Sequence, residues 1–165
     1  MLLSQLLGRE TGIALENPTY RQAYRVLKSL GHLVVPVKMD RYGMDVLDLE
    51  QSKTQAAYVM PSHQYPTGIV MPVKRRQELL SWAYRGENRY VIEDDYDSEF
   101  RYKGRPIPAL QGMDQGGRVI YMGTFSRSIA PAIRVGFMVL PGELLSRYRS
   151  QAGFYACTVS RIDQK

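Results

Sequence analysis

Two short apolar runs end in polar, ionisable segments, and this pairing constrains the fold more than any other feature of the chain. Residues 90–92 (Tyr-Val-Ile) precede the acidic run 93–100, and residues 119–122 (Val-Ile-Tyr-Met) precede the segment 123–128 (Gly-Thr-Phe-Ser-Arg-Ser). Short runs rich in β-branched and aromatic residues are typical of buried strands. Polar segments that follow parallel strands meet at the carboxyl edge of the sheet, where α/β folds bind ligands. The pattern therefore predicts a ligand site built by these two segments.

Helix and strand patterns alternate along the rest of the chain. We predict helices over 20–30, 73–84 and from about 141 to 151, and a short helix or turn at 45–50. The predicted strands are 13–15, 33–37, 56–60, 89–92, 119–122 and 136–140. The glycine- and proline-rich segment 102–117 is predicted to be a long loop. This alternation predicts an α/β domain with a three-layer, parallel-rich sheet flanked by helices.

The composition excludes several classes of protein. No apolar run approaches the roughly 18 residues of a membrane helix, so we predict no membrane contact. The single cysteine, Cys157, excludes an internal disulfide and fits a reducing, cytoplasmic location. A structural zinc site is not expected from two histidines and one cysteine. The net charge of +6 is compatible with anionic ligands or with an ordinary solvated surface. Because the basic residues are scattered and no DNA-binding motif accompanies them, we predict no direct nucleic-acid binding by this segment.

Five segments in order resemble the core of the fold-type I enzymes that use pyridoxal 5'-phosphate (PLP). They are 16–20, 61–68, 93–100, 123–128 and 131–136. Together they are most similar to the aminotransferase-like domain of MocR-type transcriptional regulators, which belong to the GntR superfamily, and the likeness runs from about residue 6 to 148. It implies that residues 1–165 are the central part of the large PLP-binding domain, without the winged-helix and small domains.

The resemblance also assigns residues to the cofactor ring. Asp94 takes the position that holds the pyridine nitrogen, and a carboxylate there favours the protonated ring because opposite charges attract. Tyr96, two residues on and hence on the same side of an extended segment, takes the position that hydrogen-bonds the phenolic oxygen. Tyr20 takes the position that stacks on the ring, although a packing role at a helix start is the alternative. Tyr65 stands where many family members have asparagine, and His63 is either near the cofactor or a hydrogen-bonded loop histidine.

A second group of residues matches the family's phosphate-binding stretch. Thr124 and Ser126 offer hydroxyl groups, and Arg134 offers a guanidinium fork suited to phosphate. An ordinary surface arginine is the alternative for Arg134.

Arg127 occupies the position at which the family has its Schiff-base lysine. Covalent PLP attachment needs an amine that loses a proton and attacks the aldehyde. A guanidinium group stays protonated, so no catalytic residue is expected at this position. Arg127 remains a candidate cofactor-binding residue because its charge can pair with phosphate or with a ligand carboxylate.

These observations predict a PLP-binding, aminotransferase-like effector domain fragment of a transcriptional regulator, catalytically impaired and binding PLP without a covalent bond. PLP or an amino compound is the expected effector, and the full-length family suggests a homodimer. Two alternatives stay open: a PLP-dependent aminotransferase acting on an amino acid, and a fragment without function.

Overall fold

Helices and strands alternate along the chain in the computed structural model, which describes residues 1–97, 108–126, 134–155 and 159. The helices are α1 Leu2–Leu7, α2 Arg21–Ser29, α3 Val46–Gln51, α4 Val73–Arg85 and α5 Gly142–Gln151. The strands are β1 Ile13–Asn17, β2 Val34–Asp40, β3 Gly43–Met44, β4 Ala56–Val59, β5 Tyr90–Asp95, β6 Val119–Thr124 and β7 Gly136–Val139. A short 3₁₀ helix covers Gln111–Met113.

The strands of the described residues form a single seven-stranded sheet in the order β3-β2-β1-β4-β5-β6-β7. Strands β2, β1, β4, β5 and β6 are parallel to one another. Strands β3 and β7 are antiparallel to their neighbours at the two ends of the sheet. The predicted α/β fold with a parallel-rich sheet is confirmed. The carboxyl ends of the five parallel strands lie at one edge, and the antiparallel β7 begins at that same edge.

Helices cover both faces of the sheet. Successive strand residues point to opposite sides, and both sides carry apolar residues that pack against helices. On one face, named here the α4 face, Ala57 and Val91 pack with Trp82 of α4 and Leu49 of α3. On the other, named the α5 face, apolar strand residues pack against α1, α2 and α5. The strand residues that contribute to this second cluster are Ile13, Leu15, Ala56, Tyr58, Tyr90, Ile92 and Ile120. The core is thus divided into two layers, with the sheet between them.

Local signals in the sequence account for two of the helix ends. Asp45 caps α3: its Oδ1 accepts hydrogen bonds from the backbone N–H of Leu47 at 2.8 Å and of Asp48 at 3.1 Å. The predicted short helix or turn at 45–50 is therefore a helix. Gly31 follows α2 with φ of +92°, a conformation that other residues rarely adopt, and it ends the helix as its sequence position predicts.

Strands β5 and β6 extend further than the apolar pattern predicts. Strand β5 continues through Asp95 and β6 through Thr124, whereas the prediction ends them at 92 and 122. The reason is the backbone ladder, which pairs Asp94 with Met122 and Asp95 with Gly123 despite their polar side chains. The predicted long loop also contains the 3₁₀ helix, and the two-residue strand β3 was not predicted because it is too short to carry a pattern.

Within the described ranges, no helix has the length and apolar character that crossing a membrane requires.

Candidate functional site

A cavity of about 320 Å³ opens at the carboxyl edge of the sheet, between β5, β6 and β7. Its described lining is Asp94, Met122, Gly123, Thr124, Gly136, Phe137 and Met138. Gly123 allows the close approach of β7, because a Cβ atom there would lie 2.5 Å from the ring of Phe137. The cavity therefore combines apolar walls with one carboxylate, Asp94, and one hydroxyl, Thr124.

Asp94 is the ionisable group of this cavity, and it is half-buried on the α5 face. The phenolic O–H of Tyr58, on the neighbouring strand β4, donates a hydrogen bond to Oδ2 of Asp94. Burial raises the pKa of Asp94 above its ordinary value, the negative charges of Asp95 and Asp97 raise it further, and the Tyr58 hydrogen bond opposes the rise. A positively charged ligand group beside Asp94 would lower the pKa of Asp94, because a positive charge favours the ionised carboxylate.

The carboxylates on either side of Asp94 lie on the opposite, α4 face and bind the protein itself. Both oxygens of Glu93 accept backbone hydrogen bonds at 2.8 Å, from Leu110 and from Gln111. Oδ2 of Asp95 accepts the phenolic O–H of Tyr121 at 2.7 Å. Glu93 thereby holds the start of the 3₁₀ helix.

Arg76 is a fully buried cation next to Glu93, and the sequence analysis did not single it out. Its guanidinium donates to the carbonyl oxygens of Met71 at 3.0 Å, Pro108 at 2.9 Å and Pro61 at 2.8 Å. Its Nη1 lies 3.9 Å from Oε1 of Glu93, and both side chains have no exposed surface.

These contacts fix the segments that follow β4 and precede the 3₁₀ helix. A sequence signal existed, because Arg76 lies three and four residues before the buried Leu79 and Leu80 on the apolar stripe of α4.

Glu16, near the end of β1, is a second buried acid that the sequence analysis did not list as a site residue. It is 1% exposed. The backbone N–H of Met60 donates to Oε2 at 3.3 Å, and Oε1 has no hydrogen-bond partner within the described part of the chain. Burial raises the pKa of Glu16 to about 7, against weaker opposing effects from Met60, Gln64 and Met44. The sequence signal was its place in a strand, two residues after the buried Ala14 on the α4 face.

The predicted aromatic residues lie in two pairs at the same edge. Tyr20 and Tyr65 meet edge to face, with ring centroids 5.9 Å apart. Tyr96 stacks on His63 with centroids 6.1 Å apart, and Nδ1 of His63 lies 2.6 Å from a carboxylate oxygen of Asp97. His63 is thus a hydrogen-bonded loop histidine that also contacts a predicted ligand residue.

A glutamine joins two of the predicted ligand segments. Nε2 of Gln64 donates to the carbonyl oxygen of Pro18 at 2.8 Å. Oε1 of Gln64 accepts hydrogen bonds from the backbone N–H and the hydroxyl of Thr67. This side chain connects the segments that carry Tyr20 and Tyr65 and is itself buried.

The predicted phosphate-binding residues lie where β6 ends and β7 begins. The hydroxyl of Thr124 donates to the carbonyl oxygen of Val135 at 3.2 Å and accepts from the backbone N–H of Ser126 at 3.1 Å. Arg134 is exposed, with φ of +53°, and neither it nor Ser126 is among the described residues lining the cavity. Arg127 lies outside the described residues, so its predicted role stays a prediction.

Known proteins resemble this chain over nearly its whole length. The family described as aminotransferase class I and II matches residues 1–163. The HTH-type transcriptional regulator YdeL of Bacillus subtilis is 40% identical over 159 residues, which cover 96% of this chain and 34% of the relative. The probable rhizopine catabolism regulatory protein MocR of Rhizobium meliloti is 39% identical over 158 residues, covering 93% of this chain and 32% of the relative. The chain therefore spans about a third of the length of these relatives.

A solved structure gives the same result for the fold. Kynurenine aminotransferase of Pyrococcus horikoshii, crystallised with PMP, superposes with a TM-score of 0.78 at 30% identity. The match covers 91% of this chain and 41% of that enzyme. The predicted resemblance to the aminotransferase-like domain of MocR-type regulators is confirmed, and the phosphopyridoxyl ligand of this neighbour agrees with the predicted cofactor class.

Proposed function

Because the chain belongs to the aminotransferase class I and II family, we propose that it binds PLP without a covalent bond, as part of the effector domain of a transcriptional regulator. The observation that carries this proposal is the half-buried carboxyl of Asp94, which lines the cavity at the carboxyl edge. An acidic group in such a position suits a ligand ring that bears a positive charge.

The chemistry of the residues in and near the cavity supports the proposal of a pyridine phosphate ligand. Asp94 offers an acceptor for a protonated ring nitrogen, and the apolar side chains of Met122 and Phe137 offer walls for a flat ring. The hydroxyl of Thr124 in the cavity, with the hydroxyl of Ser126 and the guanidinium of Arg134 outside its described lining, would supply the donors and charge that a phosphate group needs. Arg127 carries the same charge in this segment of the sequence.

The aromatic residues complete the proposed set. Tyr96 would donate its O–H to the phenolic oxygen of the ligand, and its stacking on His63 holds the ring of Tyr96 in place. Tyr20, whose ring is braced by Tyr65, would cover the ligand ring. Aromatic contacts of this kind contribute about 0.5–1.5 kcal/mol each beyond the area they bury.

Bound PLP supplies an electron-withdrawing ring and an aldehyde that reacts with amines. Arg127 does not offer the amine that a covalent bond needs, because its guanidinium keeps its proton. The chain's own residues therefore bind and orient PLP without attaching it, and we propose impaired catalysis. An amino compound is the second class of effector that this arrangement suits.

The regulatory part of the proposal rests on the relatives. YdeL and MocR are named as an HTH-type regulator and a regulatory protein, and each is about three times as long as the matched region. In a full-length protein of this type, ligand binding here would be passed to a DNA-binding part, with a homodimer as the proposed assembly. A regulator acts on chromosomal DNA, so we propose a cytoplasmic location.

A PLP-dependent aminotransferase is the second candidate, favoured by the similarity to kynurenine aminotransferase. The two candidates differ at residue 127, since an aminotransferase of this family needs a reactive amine there. A chain that binds no ligand at all, a fragment without function, is the third outcome.

A reduction experiment separates these three candidates. The purified chain and the variant R127K are mixed with PLP, treated with borohydride and mapped by peptide mass spectrometry. We expect R127K to gain a phosphopyridoxyl group on the peptide containing position 127, while the wild-type chain gains none at any one site and releases PLP on dialysis.

Saturable modification of one lysine in the wild-type chain would contradict non-covalent binding and favour an aminotransferase. Absence of modification at position 127 in R127K, together with no saturable PLP binding by the wild-type chain, would leave a fragment without this function.

A further inference from the structure

Tyr58 makes a hydrogen bond to Asp94 at the site, and the family resemblance assigned no role to Tyr58. Tyr58 is the third residue of β4 and is 6% exposed, on the α5 face of the sheet. Its backbone lies in register with Leu15 of β1 on one side and with Ile92 of β5 on the other. Its O–H donates to Oδ2 of Asp94, two residues beyond Ile92 on the same face.

The hydrogen bond occupies one of the two oxygens of Asp94. Among the residues that the structure describes, Tyr58 is the hydrogen-bond donor given for this carboxyl, and it binds Oδ2. A carboxylate has acceptor capacity on both oxygens, so one oxygen remains for a ligand. A buried tyrosine on a strand is a rigid partner, because β4 is paired on both sides. The orientation of the Asp94 carboxyl is therefore set by a residue that need not touch the ligand.

We propose that Tyr58 is the positioning residue for Asp94: it holds the carboxyl ionised and aimed, so that Oδ1 can accept the N–H of a pyridinium ligand. This inference rests on the proposed function for the identity of the ligand. The effect of Tyr58 on the pKa of Asp94 does not depend on the proposed function, because both side chains belong to this chain.

The charges around the pair oppose the ionisation of both side chains, and the Tyr58 hydrogen bond counteracts this effect at Asp94. Asp94 is faced by Asp95 on its own strand and by Asp97 beyond it, both of which favour its protonated form. Tyr58 is faced by Asp94, Glu16 and Tyr20. Burial, followed by the charge of Asp94, raises the pKa of Tyr58 well above its ordinary value, so the phenol keeps its proton and remains a donor.

The chain contains a matched control for this pair. Tyr121 on β6 donates to Oδ2 of Asp95 at 2.7 Å, on the α4 face. Tyr58 and Tyr121 thus make the same contact with consecutive aspartates from the two strands that flank β5. Replacement of either tyrosine by phenylalanine removes one hydroxyl and keeps the ring, so Y121F reports the general effect of losing such a bond.

The first test needs no ligand. The chain is labelled with ¹³C at the aspartate carboxyl groups, Asp94 is assigned by its absence in D94N, and its titration is followed by NMR in the wild type, Y58F and Y121F. We expect the Asp94 midpoint to rise in Y58F, because a donor to the ionised form is lost, and to stay at its wild-type value in Y121F. An unchanged midpoint in Y58F, or the same rise in both variants, would overturn the proposal.

The second test adds PLP itself and follows the dissociation constant as a function of pH. We expect Y58F to weaken binding about tenfold and to shift the pH profile in the same direction as the Asp94 midpoint, with Y121F unchanged. If the wild-type chain binds no PLP, the proposed function fails, and the NMR titration alone decides the role of Tyr58. Equal PLP affinity of Y58F and the wild type would contradict the positioning role.

Discussion

Asp94 and Asp95 are neighbours in sequence, and they lie in two different chemical regions. Asp94 is on the α5 face, where it lines a cavity and shares its carboxyl with a single described donor, Tyr58. Asp95 is on the α4 face, 5% exposed and bonded to Tyr121, next to the closed cluster of Glu93 and Arg76. Each aspartate meets a tyrosine from an adjacent strand. The difference is what lies beyond the carboxyl: space for a ligand on one face and protein on the other.

This difference shows how one strand can present a carboxyl to a cavity on one face and to the protein core on the other. Because side chains alternate between faces, one residue step along β5 moves a carboxyl from the cavity to the core. The described part of the acidic run therefore contains two sets of residues in two different environments. Glu93 and Asp95 bind the 3₁₀ helix and β6, whereas Asp94 lines the cavity. The following predictions test whether the two faces act independently.

The largest expected effect is the loss of the buried cation on the α4 face. R76M removes the donor of three backbone carbonyl groups and leaves Glu93 without its nearby positive charge. We expect the free energy of unfolding to fall by about 3–5 kcal/mol, measured by urea denaturation.

The control is R85M on the same helix, because the Arg85 side chain is 61% exposed and its Nη2 lies 3.4 Å from Oε2 of Glu50. Its loss should cost less than about 1 kcal/mol. Equal destabilisation by the two variants would show that the α4 face does not depend on its buried charges.

A smaller effect is expected from Glu16, the buried acid on the α4 face. Its pKa is about 7 in the folded chain against an ordinary 4.5, so the folded state binds a proton that the unfolded state releases. The contribution of Glu16 to stability is therefore greatest below about pH 4.5 and falls as the pH rises to about 7, by about 3 kcal/mol in total.

Denaturation of the wild type and E16Q across this range measures the effect. We expect the wild type to lose stability relative to E16Q as the pH rises, while E87Q, a change at an exposed position, follows the wild type. Since Glu93 titrates in both proteins, its contribution cancels in the difference. A constant difference between the wild type and E16Q would contradict the assignment of a protonated Glu16.

Much of the fold could be predicted from the sequence, because apolar periodicity reports burial directly. The strands around Ala57 and Ile120 and the helix carrying Trp82 follow this rule. The pattern failed where polar residues are buried. Both oxygens of Glu93 accept hydrogen bonds from partners far along the chain, and Oδ2 of Asp95 accepts one from Tyr121, while Oδ1 of Asp95 has no hydrogen-bond partner among the described residues. Such partners leave no local trace in the sequence.

The sequence predicted some of the cavity-lining residues of the candidate site, and it did not predict the side-chain pairs that join distant parts of the chain. Asp94 and Thr124 do line one cavity, as the two polar segments suggest. The pairing of Asp94 with Tyr58 joins residues 36 positions apart, and the pairing of Arg76 with Pro108 joins residues 32 apart. Tyr58 had the pattern of an ordinary strand residue, and its role depends on the register between β4 and β5. Register is a property of the folded sheet, and the apolar pattern of a single strand does not specify it.

The central claim is that the Asp94 side of β5 binds PLP and the Asp95 side does not. The most direct measurement is a PLP titration of the wild type, D94N and D95N, followed by the absorbance of the ligand, with circular dichroism to verify that each variant is folded. We expect D94N to weaken binding about ten- to a hundredfold, because it removes the charge that faces the ring nitrogen, and D95N to bind as the wild type does. Equal affinities in all three proteins, or an equal loss in D95N and D94N, would contradict the account.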